Sequence, residues 1–168
     1  MNYYVACMVF GVFFRLLPHV ANVSPLFAAA VLLVGATGNS KAILLALLSF
    51  ALSDVLWGTV THHAIIGTWT IFTWSGLVIA LLANRFVKNK LFIHFSSFTL
   101  IYWCWTNLGA WLSSGMYMHN SSGLFACYTS ALPFLFNQWL GLIVWGYAIY
   151  YLKPTLNLLL HKKTPGRN

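Results

Sequence analysis

A bundle of about six transmembrane helices, all-α and polytopic, is the fold class this sequence predicts, and three observations predict it. Hydrophobic residues make up 60% of the chain and charged residues only 6%, with a mean hydropathy of +0.78; soluble domains carry about 25% charged residues. Apolar runs alternate with short stretches rich in turn residues. The basic residues fall between those runs and form no dense stripe of the kind that binds nucleic acid, so no nucleic-acid partner is expected.

The first segment, Tyr3 to Leu17, has the apolar centre of a signal peptide but no basic start and no A-x-A cleavage pattern, so it reads as a retained first helix. The second runs from Pro25 to Thr37, with proline in the first turn and Gly38 at the stop. The third, Ala42 to Val60, is the apolar run that contains Asp54. The fourth and fifth are Thr68 to Arg85 and Leu91 to Ser113, the latter ending just before Gly115. The sixth, Pro133 to Leu152, again opens on proline. Residues 1–152 then form a single transmembrane domain and 153–168 a short basic tail. The first two segments are short against the roughly 20 residues a span requires, and short or broken elements border binding sites in many membrane proteins.

A cytoplasmic N-terminus places Lys41, Arg85, Lys88, Lys90, Lys153, Lys162, Lys163 and Arg167 on the inner side, every basic residue except Arg15. That satisfies the positive-inside rule and puts both termini in the cytoplasm. The same topology sends Arg15, His19, Asn22, Asp54, His62, His63, Asn107, His119, Cys127 and Asn137 to the outer half. Polar side chains facing lipid are unfavourable, so this set predicts a cavity open to the outside.

Asp54 is the single acidic residue of the chain. A carboxylate at the bilayer centre costs about 2.5 to 3.5 kcal/mol on insertion scales, so it is expected to face a partner, a cavity or a substrate path. Trp57 lies one turn away, and Trp103, Asn107 and Trp111 form a stripe at helical spacing suited to a flat organic ligand. The broken connection RLLPHVANVSP offers Arg15, His19 and Asn22 to the same region; its plainer reading is an interfacial loop with a snorkelling arginine. The substrate-binding set is therefore Arg15, His19, Asn22, Asp54, Trp57, His62, Asn107, Trp111 and Asn137. Adjacent His62 and His63 point about 100 degrees apart on a helix and do not readily share one metal ion. Ala42 and Ala46, followed by Ser49 and Ser53, permit close helix approach, inside the bundle or against another subunit.

An ordinary enzyme is not expected. One acid rules out paired-carboxylate catalysis, and HEXXH, P-loop and GxSxG patterns are absent. Cys127 admits a nucleophilic or ligating role as well as simple packing, but no base stands near it in sequence. The three cysteines lie far apart, without CxxC spacing. No cofactor and no metal ligand set is expected.

The stretches RLLPHVANVSPLFAAAVLLVG, SDVLWG with the following His62, TNLGAWLSSGMY and GLFACYTSALPFLFN resemble a family of small bacterial integral membrane proteins similar to the S components of energy-coupling factor transporters. The resemblance implies a six-helix protein of the bacterial inner membrane with an outward ligand pocket. It also implies uptake of a vitamin-like or heterocyclic nutrient, and association with an energy-coupling membrane subunit and its ATPases, in which Ala42 and Ala46 would form part of the partner interface. The start Met1-Asn2-Tyr3 departs from the Met-His arrangement of the nickel and cobalt branch. The competing expectation is a structural or assembly protein whose polar residues only tie helices together.

Overall fold

The computed structural model describes residues 2–87 and 90–161. Lys88, Lys162, Lys163 and Arg167, assigned to the inner side above, lie outside the described residues. Those described form seven helices and no strand: α1 (Asn2–Phe14), α2 (Pro25–Thr37), α3 (Ser40–Thr61), α4 (Thr68–Asn84), α5 (Leu91–Ser113), α6 (Ser121–Ser130) and α7 (Leu132–His161).

The boundaries follow local chemistry. Pro25 opens α2 behind Ser24, whose hydroxyl accepts the Leu26 N–H at 3.3 Å, and Gly38, at φ 60°, closes the helix in the left-handed conformation. The Asn39 side chain accepts the Lys41 N–H at 2.9 Å and so starts α3. At the head of α4, the Gly67 N–H donates to Thr70 Oγ1 at 3.0 Å while the Thr70 N–H donates back to Gly67 O.

The expected six segments omit α6. Its sequence, SSGLFACYTS, begins with two serines and a glycine and reads as a connection, yet Asn120 nucleates a helix there by accepting the Gly123 N–H at 2.8 Å. Helix α7 extends to His161, with Pro154 inside it.

Helix α2 is the centre of the fold. From Leu26 to Val34 every residue except Phe27 is buried, and the helix packs on α1, α3, α4, α5 and α7. An apolar surface all round suits that position. With 13 residues it is about 20 Å long, short of a hydrocarbon core of about 30 Å. Among the described residues, two segments are long and apolar enough to cross a membrane, Ser40–Thr61 and Leu132–Pro154. Ala42 and Ala46, expected at a partner interface, are 7% and 1% exposed within the core. The close approach they permit is internal to this chain.

Basic and polar residues mark the two ends of the bundle differently. Where α2 gives way to α3, the Arg85 guanidinium donates to Gly38 O and, at 3.4 Å, to Ser40 Oγ. Asn84 Nδ2 donates to His94 O at 2.7 Å and so ties α4 to α5 at the same end. Asp54 is farther along α3, 14 residues or about 21 Å from Ser40.

Candidate functional site

At that far end a cavity of about 500 Å³ opens between the α1–α2 connection, the start of α2, the second half of α3, the α3–α4 connection, the first turns of α4, and α5. Ligand pockets span about 300 to 1,000 Å³, so the space suits a small organic molecule.

Arg15 leaves the end of α1 and reaches α3, where Nη1 donates to Asp54 Oδ1 at 2.7 Å and to the Ser53 hydroxyl. The other carboxylate oxygen accepts Trp74 Nε1 at 2.9 Å. Arg15 also lies 5.0 Å from the centroid of the Phe50 ring, a cation–π contact. Asp54 is thus held by a charge just past the end of α1 and by an indole on α4. The arrangement resolves the cost of an acid in an apolar run and leaves the pair without net charge. The remaining Arg15 donors, Nε and Nη2, and the Tyr102 hydroxyl make no hydrogen bond among the described residues, so both groups can meet a ligand.

Aromatic rings supply the rest of the wall. Phe27 stands 5.2 Å from Phe50 and 5.1 Å from Tyr102, centroid to centroid, and Trp57 and Trp69 also line the cavity. Phe50, Asp54 and Trp57 fall at i, i+4 and i+7 on α3, and Trp69 and Thr73 at i and i+4 on α4, so each helix turns one face to the cavity. Gly58 brings the α3–α4 connection close: a Cβ there would lie 2.7 Å from Ile65 Cγ1. That approach places Ala64 and Ile65 on the cavity wall. Asn22, at φ 66°, adopts the left-handed conformation that asparagine tolerates and turns the α1–α2 connection so that His19, Ala21 and Asn22 line the opening.

Of the expected binding residues, Arg15, His19, Asn22, Asp54 and Trp57 come together at this cavity. His62, Asn107, Trp111 and Asn137 are not among its lining. His62 takes the left-handed position that ends α3, at φ 57°. His63, its neighbour, packs against Trp57 with centroids 4.9 Å apart.

The Trp103, Asn107 and Trp111 stripe belongs to another part of the structure. Trp103 Nε1 donates to Ala131 O at 3.0 Å, Asn107 Nδ2 returns to Trp103 O at 2.8 Å, and Trp111 Nε1 donates to Met118 O at 2.9 Å. Cys127 Sγ donates to Asn107 O at 3.4 Å. This face of α5 therefore anchors α6 and the segment before it. The residue of α5 that does reach the cavity is Tyr102, one position and about 100 degrees away. Asn137 is half-buried on α7.

Ser53, Trp74, Phe27, Phe50, Trp69, Thr73 and Tyr102 were not in the expected set. The i, i+4, i+7 pattern around Asp54 points to Phe50, and the indole of Trp74 becomes a partner only once α4 is laid beside α3. Cys127 is 2% exposed, and burial pushes its thiol up from the usual range, which opposes a thiolate nucleophile at neutral pH. No group of three or more His, Cys, Asp or Glu side chains among the described residues could hold a metal ion.

The protein is thus an all-helical, strongly apolar chain with a polar and aromatic cavity built around its one acid. It belongs to the family described as a family of unknown function, DUF6580, whose match covers residues 1–161. No curated protein and no solved structure matches the chain.

Proposed function

We propose that this chain is a polytopic protein of the bacterial inner membrane that captures a small, flat nutrient, vitamin-like or heterocyclic, from the outer face. The observation that carries this reading is the cavity itself. The sole acid of the chain is neutralised in its wall by Arg15, and Phe27, Phe50, Trp57, Trp69 and Tyr102 surround it. Aromatic walls with a few polar groups suit a ring system that stacks and accepts hydrogen bonds. In the positive-inside orientation the Arg85 end faces the cytoplasm, both termini are cytoplasmic and the cavity faces outward. About six helices then cross or enter the bilayer, with the short α1 and α2 supported by their neighbours.

The resemblance to S components supports uptake, with an energy-coupling membrane subunit and its ATPases as partners. The burial of Ala42 and Ala46 leaves any contact with such a partner to other surfaces.

One observation favours the second reading, a structural or assembly protein. Both Asp54 oxygens already have protein partners, Arg15 just past α1 and Trp74 on α4, as a helix tie requires. Trp57→Ala separates the two. Trp57 is 38% exposed and its indole makes no hydrogen bond among the described residues, so in a capture protein its removal costs ligand affinity and more stability with the ligand than without it. Equal stability loss with and without the small molecule retained on purification, at unchanged affinity, would leave only the helix tie.

A further inference from the structure

The connection between α5 and α6 carries a cluster that the cavity does not use. Its sequence, Gly115-Met116-Tyr117-Met118-His119-Asn120, places two methionines one residue apart and a histidine directly after them. Met116 is 73% exposed and Met118 68%, so both thioethers are accessible. Trp111 holds the second half of this segment, Met118 and His119. Its Nε1 donates to Met118 O at 2.9 Å, and its ring meets the His119 imidazole edge to face, with centroids 5.4 Å apart.

The histidine is set in a particular tautomer. Its Nε2 lies 3.0 Å from Trp111 O, and because a carbonyl only accepts, Nε2 carries the proton. In that tautomer the lone pair resides on Nδ1. Gly115, at φ 70°, turns the chain immediately before Met116, and Gly123 lets α6 close on the connection, since a Cβ there would lie 1.9 Å from Met118 O. The backbone of the cluster is thereby fixed from both sides.

We propose that Met116, Met118 and His119 form a binding site for a soft monovalent metal ion of the copper(I) class, beside the indole of Trp111. Thioether sulfur selects soft ions, imidazole binds copper readily, and the absence of any carboxylate in the cluster disfavours calcium, magnesium and manganese. In the positive-inside orientation this site lies on the outer face, where an ion could be taken up before entering the membrane. It stands on different residues from the Asp54 cavity and does not depend on that cavity's ligand.

Silver(I) is the probe, because it shares the ligand preference of copper(I) without its redox chemistry. The full chain in detergent, labelled with [13C]methyl-methionine, is titrated with silver nitrate in parallel with Met116→Leu/Met118→Leu, a variant that keeps all three cysteines and so leaves thiol binding equal. Silver is expected to shift the methyl signals of Met116 and Met118 while that of the buried Met8 stays in place, and the double variant should bind one silver ion fewer per chain. His119→Gln should weaken that ion by about tenfold or more, as loss of a ligand does. Zinc(II) should leave both methionine signals unmoved. Stationary Met116 and Met118 signals at saturating silver, or equal silver stoichiometry in the double variant, overturns the site; both substituted positions are exposed, so circular dichroism and gel filtration should show the variant folded.

Discussion

If the Arg15–Asp54 pair holds α1 to α3, a double-mutant cycle should reveal it as a coupling. The variants are Arg15→Gln, Asp54→Asn and the two together. Removing either charge breaks a charge-assisted hydrogen bond of 2.7 Å, a contact worth about 1.5 to 3 kcal/mol. The two side chains are 23% and 21% exposed, more hydrated than a fully buried pair, where loss of one partner costs about 3 to 5 kcal/mol. Water therefore recovers part of the loss, and each single variant should lose about 2 kcal/mol. Asp54→Asn retains an acceptor for Trp74 Nε1 and should be the milder. In the double variant neither charge remains unpaired, so its loss should fall short of the sum by about 1 to 2 kcal/mol, the coupling expected of contacting charges. Reversible unfolding in detergent, followed by tryptophan fluorescence, reads all four states. Additivity within about 0.3 kcal/mol would refute the pair as a tie between α1 and α3.

Trp74→Phe removes the indole donor from Asp54 Oδ2 while preserving most of the ring, and should destabilise the ligand-free protein by about 1 to 2 kcal/mol in the same assay. Gly58→Val brings side-chain atoms against Ile65 and should push the α3–α4 connection outward, costing about 1 to 3 kcal/mol and weakening the retained ligand. Cys127, buried and with its thiol pushed up, should resist iodoacetamide at pH 8 in the folded protein and react once the chain is unfolded, as mass spectrometry of tryptic peptides will show. A reporter fused after Asn168 should signal from the cytoplasm; an external signal would reverse the orientation of the cavity.

Asp54 was legible as a residue that needs a partner, because an acid in an apolar run must find one, and it lines the cavity paired with Arg15. Arg15, His19 and Asn22 were legible too: His19 and Asn22 lie between Pro18 and Pro25, where no regular helix can absorb them, and Arg15 stands just before Pro18. The α5 stripe was misplaced for a definite reason. Helical spacing shows which residues share a face, and only the packed structure shows what covers that face; α6, hidden in a Ser-rich and Gly-containing segment, covers Trp103 and Asn107. Tyr102, Trp69 and Phe27 could not be assigned in advance, because an aromatic residue lining a cavity and one facing lipid look alike in an apolar sequence.

Native mass spectrometry of the protein purified from its host tests capture at the Asp54 cavity most directly, with Trp57→Ala and Met116→Leu/Met118→Leu beside it. The account predicts one retained small organic molecule on the parent chain and on the methionine variant, and its loss from Trp57→Ala. A parent chain that carries no organic molecule, or one retained equally by Trp57→Ala, would contradict capture at this cavity.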